Sequence, residues 1–183
     1  MANDPLESVH SFVERAYMRM QAGDILIRCM EEGSTQPIQQ MIESLVLAGP
    51  RSLNALRETL METEQRKSQV QDDLHQLMKN LEESLKSYGV NLNGNGNVEA
   101  ITELSQVGFL SFLRMQEIDD QSTQKACLQI LKDSRDLIET LSSNYLLLQE
   151  IEGYIRDWIW ALVVQERHQD TRSQNSDINS IHH

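Results

Sequence analysis

Two short patterns in the sequence could bind a metal ion. Glu7 and His10 are three residues apart, and Asp72 and His75 repeat this spacing with aspartate in place of glutamate. Residues i and i+3 project from one side of a helix, and Glu-x-x-His pairs of this kind hold the metal in di-iron carboxylate bundles. Both histidines lie beside the apolar stripe of their helix and not on it. We therefore expect ordinary surface pairs and no cofactor, and keep a metal-carboxylate bundle as an alternative.

Other catalytic patterns are absent from the sequence. There is no nucleophile elbow, no phosphate-binding Walker loop and no HExxH pair. The glycine-rich segment 89–97 is not a dinucleotide fingerprint, because no strand precedes it and Glu99 stands where the third glycine is required. Five histidines, two of them the terminal His182 and His183, leave few candidates for a general base. We expect a protein that is not an enzyme and has no small-molecule substrate.

The composition narrows the choice of partner and compartment. Twenty-eight acidic residues outnumber sixteen Lys and Arg, for a net charge of -12, and the cations form no stripe. Direct nucleic-acid binding, which depends on cations that displace counterions from phosphate, is disfavoured.

The two cysteines, Cys29 and Cys127, are expected to be small buried residues, which fits a reducing compartment. No signal peptide is visible, and the longest apolar run, Trp158 to Val164, is too short to span a membrane. We expect a cytoplasmic protein.

Glycine and proline are sparse and fall where helices would end, which predicts an all-α fold with few, long helices. We predict an elongated bundle over residues 1–168 with two long coiled-coil-like helices, a flexible loop at 89–97 and a disordered polar tail at 169–183. The five predicted helices are Pro5 to Glu32, Gln36 to Ala48, Arg51 to Tyr88, Val98 to Ile118 and Thr123 to His168.

Heptad patterns predict which side of each helix is buried. The first helix carries apolar or small residues at alternating steps of three and four, a spacing typical of helix pairs; they are Leu6, Val9, Val13, Ala16, Met20, Gly23, Ile27 and Met30. In the third helix, Thr63 and Lys67 interrupt the apolar stripe. This interruption either fixes the register of the helix or marks a stretch exposed to water.

The lengths of the predicted helices favour a homodimer. At about 1.5 Å per residue the third and fifth helices would be roughly 55 to 70 Å long, and the shorter helices could not easily cover their apolar stripes. A large uncovered stripe is unusual in a soluble monomer. A second copy of the chain is the preferred cover, and a monomeric bundle is the alternative.

The segment 154–164 is apolar on every helical face from Trp158 onward and contains both tryptophans. Tryptophan is a common anchor at protein interfaces, so the segment is either a dimer or partner interface or a plug in the bundle core. Our leading hypothesis is a protein–protein interaction module, a dimeric helical-bundle adaptor, scaffold or regulator, with a helical chaperone for one client as a further alternative. The residues predicted to form the interface are Ile155, Trp158, Ile159, Trp160 and Val163.

Overall fold

The structure, a computed structural model, describes the backbone of residues 5–92 and 97–181 and the side chains of residues 9–92 and 98–175. Within these ranges every regular element is helical and no strand occurs, which confirms the all-α prediction. The two long helices predicted from the sequence are also confirmed as α3 and α6. The elements are α1 (Pro5–Glu32), α2 (Gln36–Val46), a short 3-10 helix (Gly49–Ser52), α3 (Leu53–Ser87), α4 (Asn97–Thr102), α5 (Gln106–Met115) and α6 (Gln121–Ile181).

Glycines end the helices at the predicted positions. α1 ends at Glu32, and Gly33 follows with a φ of 66°. α3 ends at Ser87, and Gly89 has a φ of 87°. Only glycine adopts this left-handed backbone without steric cost, so it terminates a helix readily. The predicted N-cap Asp4 and the centre of the loop, residues 93–96, lie outside the described residues.

The fourth predicted helix, Val98 to Ile118, is wrong as a single element because it is divided into α4 and α5. Ser105 has an extended backbone, and its hydroxyl accepts a hydrogen bond from the Gly108 N–H at 3.1 Å. Serine in this role starts a new helix by satisfying an unpaired backbone donor. Arg135 of α6 donates hydrogen bonds to the carbonyl oxygens of Thr102 and Leu104, which the end of α4 leaves without helical partners.

The end of α6 also differs from the prediction. The sequence predicted a helix end at His168 and a disordered tail from residue 169, whereas α6 continues to Ile181. No glycine or proline follows Gly153, so nothing in the backbone chemistry forces the helix to stop. At its start, Asp120 accepts hydrogen bonds from the backbone N–H and the hydroxyl of Thr123, at 3.1 and 2.8 Å.

The sequence predicted one bundle over residues 1–168. By its contacts the chain divides into two compact units, residues 1–68 with 146–183 and residues 69–145. The buried apolar core of the first unit is contributed by α1, α2, α3 and α6; it includes Ala22, Leu26, Cys29, Ile38, Ile42, Leu53, Leu56, Leu148, Ile151, Ile155 and Leu162.

The second unit has a core of its own around Phe109. Its ring is fully buried and stacks on Phe112 with 6.3 Å between ring centroids. The backbone of Asn91 is held by the side chain of Gln116, which accepts from its N–H at 2.6 Å and donates to its carbonyl at 2.7 Å. The buried core residues of this unit are Leu81, Leu85, Val90, Leu92, Ile101, Phe109, Leu113, Cys127 and Leu131.

Candidate functional site

The second half of α1 packs into the first unit through a face that the heptad pattern did not predict. Ala22, Leu26 and Cys29 are all fully buried there and follow each other at steps of four and three residues. Arg19, on the same side of α1, forms an ion pair with Glu58 of α3. These contacts determine which side of α1 faces the rest of the unit, and they leave the N-terminal part of the predicted heptad stripe, from Val9 to Met20, on roughly the opposite side of the helix.

The first half of α1 therefore exposes its apolar side. We call the five residues Val9, Phe12, Val13, Tyr17 and Met20 the outward face of α1; their exposed fractions lie between 56 and 68 %. Four residues of the heptad stripe predicted to be buried are exposed in the single chain; they are Val9, Val13, Ala16 and Met20. The physical reason is that α1 has two apolar stripes, and the chain can bury only one of them.

An open groove of about 350 Å³ lies between this segment and the start of α3. On the α1 side it is lined by polar and apolar side chains, namely Ser11, Glu14, Arg15, Tyr17 and Met18. A surface helix normally directs its apolar side to the core and its polar side to water. Residues 9–17 do not follow this rule, because every described side chain among them, apolar and polar alike, is exposed. The uncovered apolar side chains mark the outward face of α1 as a candidate binding surface.

The polar interruption of the α3 stripe is matched by polar groups inside the first unit. Thr63 is fully buried, and its hydroxyl donates to the Thr59 carbonyl at 2.8 Å. Lys67 contacts Glu152 of α6, with 2.6 Å between Nζ and Oε2, and both side chains are largely buried. The lysine lowers the pKa of Glu152 below its ordinary value, chiefly through this hydrogen bond. The polar interruption of the α3 stripe at Thr63 and Lys67 is therefore not a stretch exposed to water.

The predicted interface segment 154–164 lies with one side in the core and the other in solvent. Ile155 is fully buried, Trp158, Ile159 and Val163 are half-buried, and Trp160 is 66 % exposed. Ile155 thus packs in the unit's own core, whereas Trp160 presents most of its indole to the outside. Partner binding through these five residues stays a prediction, and Trp160 is the most exposed of them.

The two candidate metal patterns are placed on the surface. His10 Nε2 lies 3.1 Å from the Glu14 carboxylate, and both side chains are mostly exposed. Asp72 and His75 are exposed as well. The side chain of Glu7 lies outside the described residues. Among the side chains that are described, no group of three or more His, Cys, Asp or Glu is placed to hold a metal ion.

The two cysteines are buried as predicted. Cys29 and Cys127 are both free thiols with no exposed surface. Burial raises the pKa of each thiol above its ordinary value, because the charged thiolate would lose its hydration. Both therefore stay protonated at neutral pH and act as small apolar residues.

No helix in the described part of the chain is long and apolar enough to cross a membrane. Comparison with protein families, with curated proteins and with solved structures finds no match to this chain.

Proposed function

We propose that this protein is a non-enzymatic protein–protein interaction module, a cytoplasmic adaptor, scaffold or regulator that acts as a homodimer. The outward face of α1 is the seam between the two copies. The observation that carries the proposal is the orientation of residues 9–17, whose apolar side chains are all exposed and are not covered by the chain itself. An amphipathic helix in this orientation leaves its apolar side in water unless another molecule covers it.

The size of the outward face suits a dimer. Five apolar side chains that are 56 to 68 % exposed leave on the order of 500 Å² of apolar surface on each copy. A standard protein interface buries about 800 Å² on each partner, and roughly 60 % of this area is apolar. The outward face therefore supplies about the apolar area that one side of a stable interface needs.

A second copy of the chain fits the outward face in pattern and in charge. Its stripe follows the alternating three- and four-residue steps by which two helices interlock; the residues are Val9, Val13, Ala16 and Met20. A twofold axis would place the stripe of one copy against the same stripe of the other copy. The whole protein carries a net charge of -12, so two copies repel each other over most of their surface. The segment 9–20 does not share this negative charge, because it contains one Glu and two Arg.

The test places charge on the seam and compares it with charge placed elsewhere. In the variant Val13→Glu with Met20→Glu, each copy would have to bury two carboxylates without partners, so dimerisation should weaken by at least a hundredfold. Leu47→Glu is the matched control, because Leu47 is 87 % exposed and belongs to the end of α2. Sedimentation velocity should show monomer for the double variant and dimer for the control. A double variant that is folded by circular dichroism and still dimeric would refute the seam.

A further inference from the structure

A cleft between α2 and α6 in the first unit has a shape and charge that the proposed dimer does not explain. Its volume is about 340 Å³, at the small end of the roughly 300 to 1,000 Å³ typical of ligand clefts. Ile38 of α2 and Ile151 of α6, both fully buried, form an apolar floor. The cleft can therefore take one long side chain and not a large molecule.

Gly153 lies in the α6 wall of this cleft and is unusual for a helix interior. Glycine costs about 1 kcal/mol relative to alanine at such a position. Close packing within the chain does not require it, because a Cβ atom added to Gly153 would meet no atom within 4 Å. The missing side chain instead keeps the wall open toward solvent. Glycine in a helix surface is expected where something outside the helix approaches closely.

Two carboxylates flank Gly153 on the same side of α6. Glu150 and Asp157 both line the cleft and are exposed. Within the described part of the chain, neither has a hydrogen-bond or ion-pair partner. Arg156, which lies between them in sequence, is directed to Glu64 and Glu152 instead. The cleft thus has two negative charges with no cation of its own.

Tyr154 adds an aromatic ring to the same wall. The face of an aromatic ring attracts a cation, and a planar guanidinium group stacks on it particularly well. An apolar floor suits the methylene stem of a long basic side chain, whose charged head can then reach carboxylates at the rim.

We propose that the α2–α6 cleft binds an arginine side chain of a partner protein. The arginine stem lies over Ile38 and Ile151, and its guanidinium donates hydrogen bonds to Glu150 and Asp157 beside the ring of Tyr154. Arginine fits better than lysine because its flat, forked head can contact two carboxylates and an aromatic face together. The net charge of -12 attracts basic partners from a distance, and the cleft supplies the specific contact.

The probe is a capped Ala-Arg-Ala peptide, titrated into the uniformly 15N-labelled full chain and followed by the backbone amide signals of Gln39, Gly153 and Tyr154. The matched probe is the same peptide with citrulline, which keeps the shape of arginine and loses its charge. The arginine peptide should shift these amides to saturation, and the citrulline peptide should bind at least tenfold more weakly. Equal shifts from both peptides, or shifts spread evenly over the acidic surface, would overturn the proposal.

Two pairs of substitutions distinguish the contribution of the cleft to peptide binding from that of the overall negative charge. Glu150→Gln with Asp157→Asn should weaken binding at least tenfold. Glu166→Gln with Asp170→Asn removes the same charge from exposed positions of α6 outside the cleft and should change binding less than twofold. The proposal is wrong if both pairs have the same effect.

Gly153→Ala gives the most selective test. The added methyl group meets no atom of the chain, so the variant should be at least as stable as the parent protein, while the narrowed cleft binds the arginine peptide at least fivefold more weakly. Unchanged peptide affinity in a folded Gly153→Ala variant would overturn the proposal. The peptide should bind equally well to the Val13→Glu, Met20→Glu variant, so this test is independent of the dimer.

Discussion

Lys67 of α3 and Glu152 of α6 form a short ion pair, with 2.6 Å between Nζ and Oε2, in the interior of the first unit. Arg156, one turn further along α6, contacts Glu152 at 2.8 Å and Glu64 of α3 at 2.7 Å. Acidic and basic groups therefore alternate between the two helices. Because a shift of either helix by one turn would separate these pairs, they fix the register of α6 against α3.

Replacing Glu152 should destabilise the fold. We expect Glu152→Gln to lower the free energy of unfolding by about 1 to 3 kcal/mol, because the largely buried ammonium of Lys67 loses its charged hydrogen-bond acceptor. Urea denaturation at pH 7 measures the change. Glu166→Gln on the exposed part of α6 is the control and should change stability by less than about 0.5 kcal/mol. Equal effects of the two substitutions would show that the pair does not contribute to stability.

The same pair predicts a dependence on pH. Lys67 holds the pKa of Glu152 below its ordinary value of 4.5. A carboxyl group with a lowered pKa in the folded state stabilises the protein above its ordinary pKa, and this contribution is lost as the pH falls through the lowered value. The parent protein should therefore lose more stability than Glu152→Gln as the pH falls below about 4.5. Denaturation midpoints that fall in parallel would contradict the assignment.

Removing the cap that separates α4 from α5 should weaken the second unit. Ser105→Ala deletes the hydroxyl that accepts the Gly108 N–H, and loss of such a cap costs about 1 kcal/mol. Ser111→Ala is the control within α5, since its hydroxyl donates to the carbonyl of Val107, already part of the helix. Thermal denaturation followed by circular dichroism should show the larger decrease for Ser105→Ala. An unchanged melting temperature would mean that the cap is dispensable.

Helix ends were predictable where a proline or a glycine decides them. Pro5 and Gly33 bracket α1 at the predicted bounds, and Gly89 follows α3 as expected. The division at Ser105 was missed because Leu104 and Val107 continue an apolar helical pattern across it. A serine cap in such a run becomes recognisable only when Arg135, from another part of the chain, is seen to bind the carbonyl groups before it.

The candidate surface was only partly predictable for a different reason. The heptad stripe of α1 was correctly recognised as a stripe, but the sequence also contains Ala22, Leu26 and Cys29 on another side of the same helix. Both patterns have helical spacing, and only tertiary contacts decide which is buried. The long helices α3 and α6 are covered in part: Leu56, Leu81, Leu131 and Leu148 are buried in the chain's own cores, whereas Leu137, Leu146 and Trp160 of α6 are exposed.

The exposed tryptophan should take part in association more than in folding. Trp160→Ala removes a side chain that is 66 % exposed, so its effect on the free energy of unfolding should stay below about 0.5 kcal/mol, while self-association or partner binding weakens. Trp158→Ala should weaken association and also lower the free energy of unfolding, because Trp158 is half-buried. Denaturation and analytical ultracentrifugation of both variants measure the two effects. If both variants fold and keep full association, the predicted interface at residues 155–163 is wrong.

Sedimentation equilibrium of the unmodified protein tests the central claim most directly. The chain has a mass of 21.0 kDa. If a second copy covers the outward face of α1, the measured mass should approach twice this value as the concentration rises through the micromolar range. A mass that stays at 21.0 kDa up to the highest measurable concentration would contradict the account.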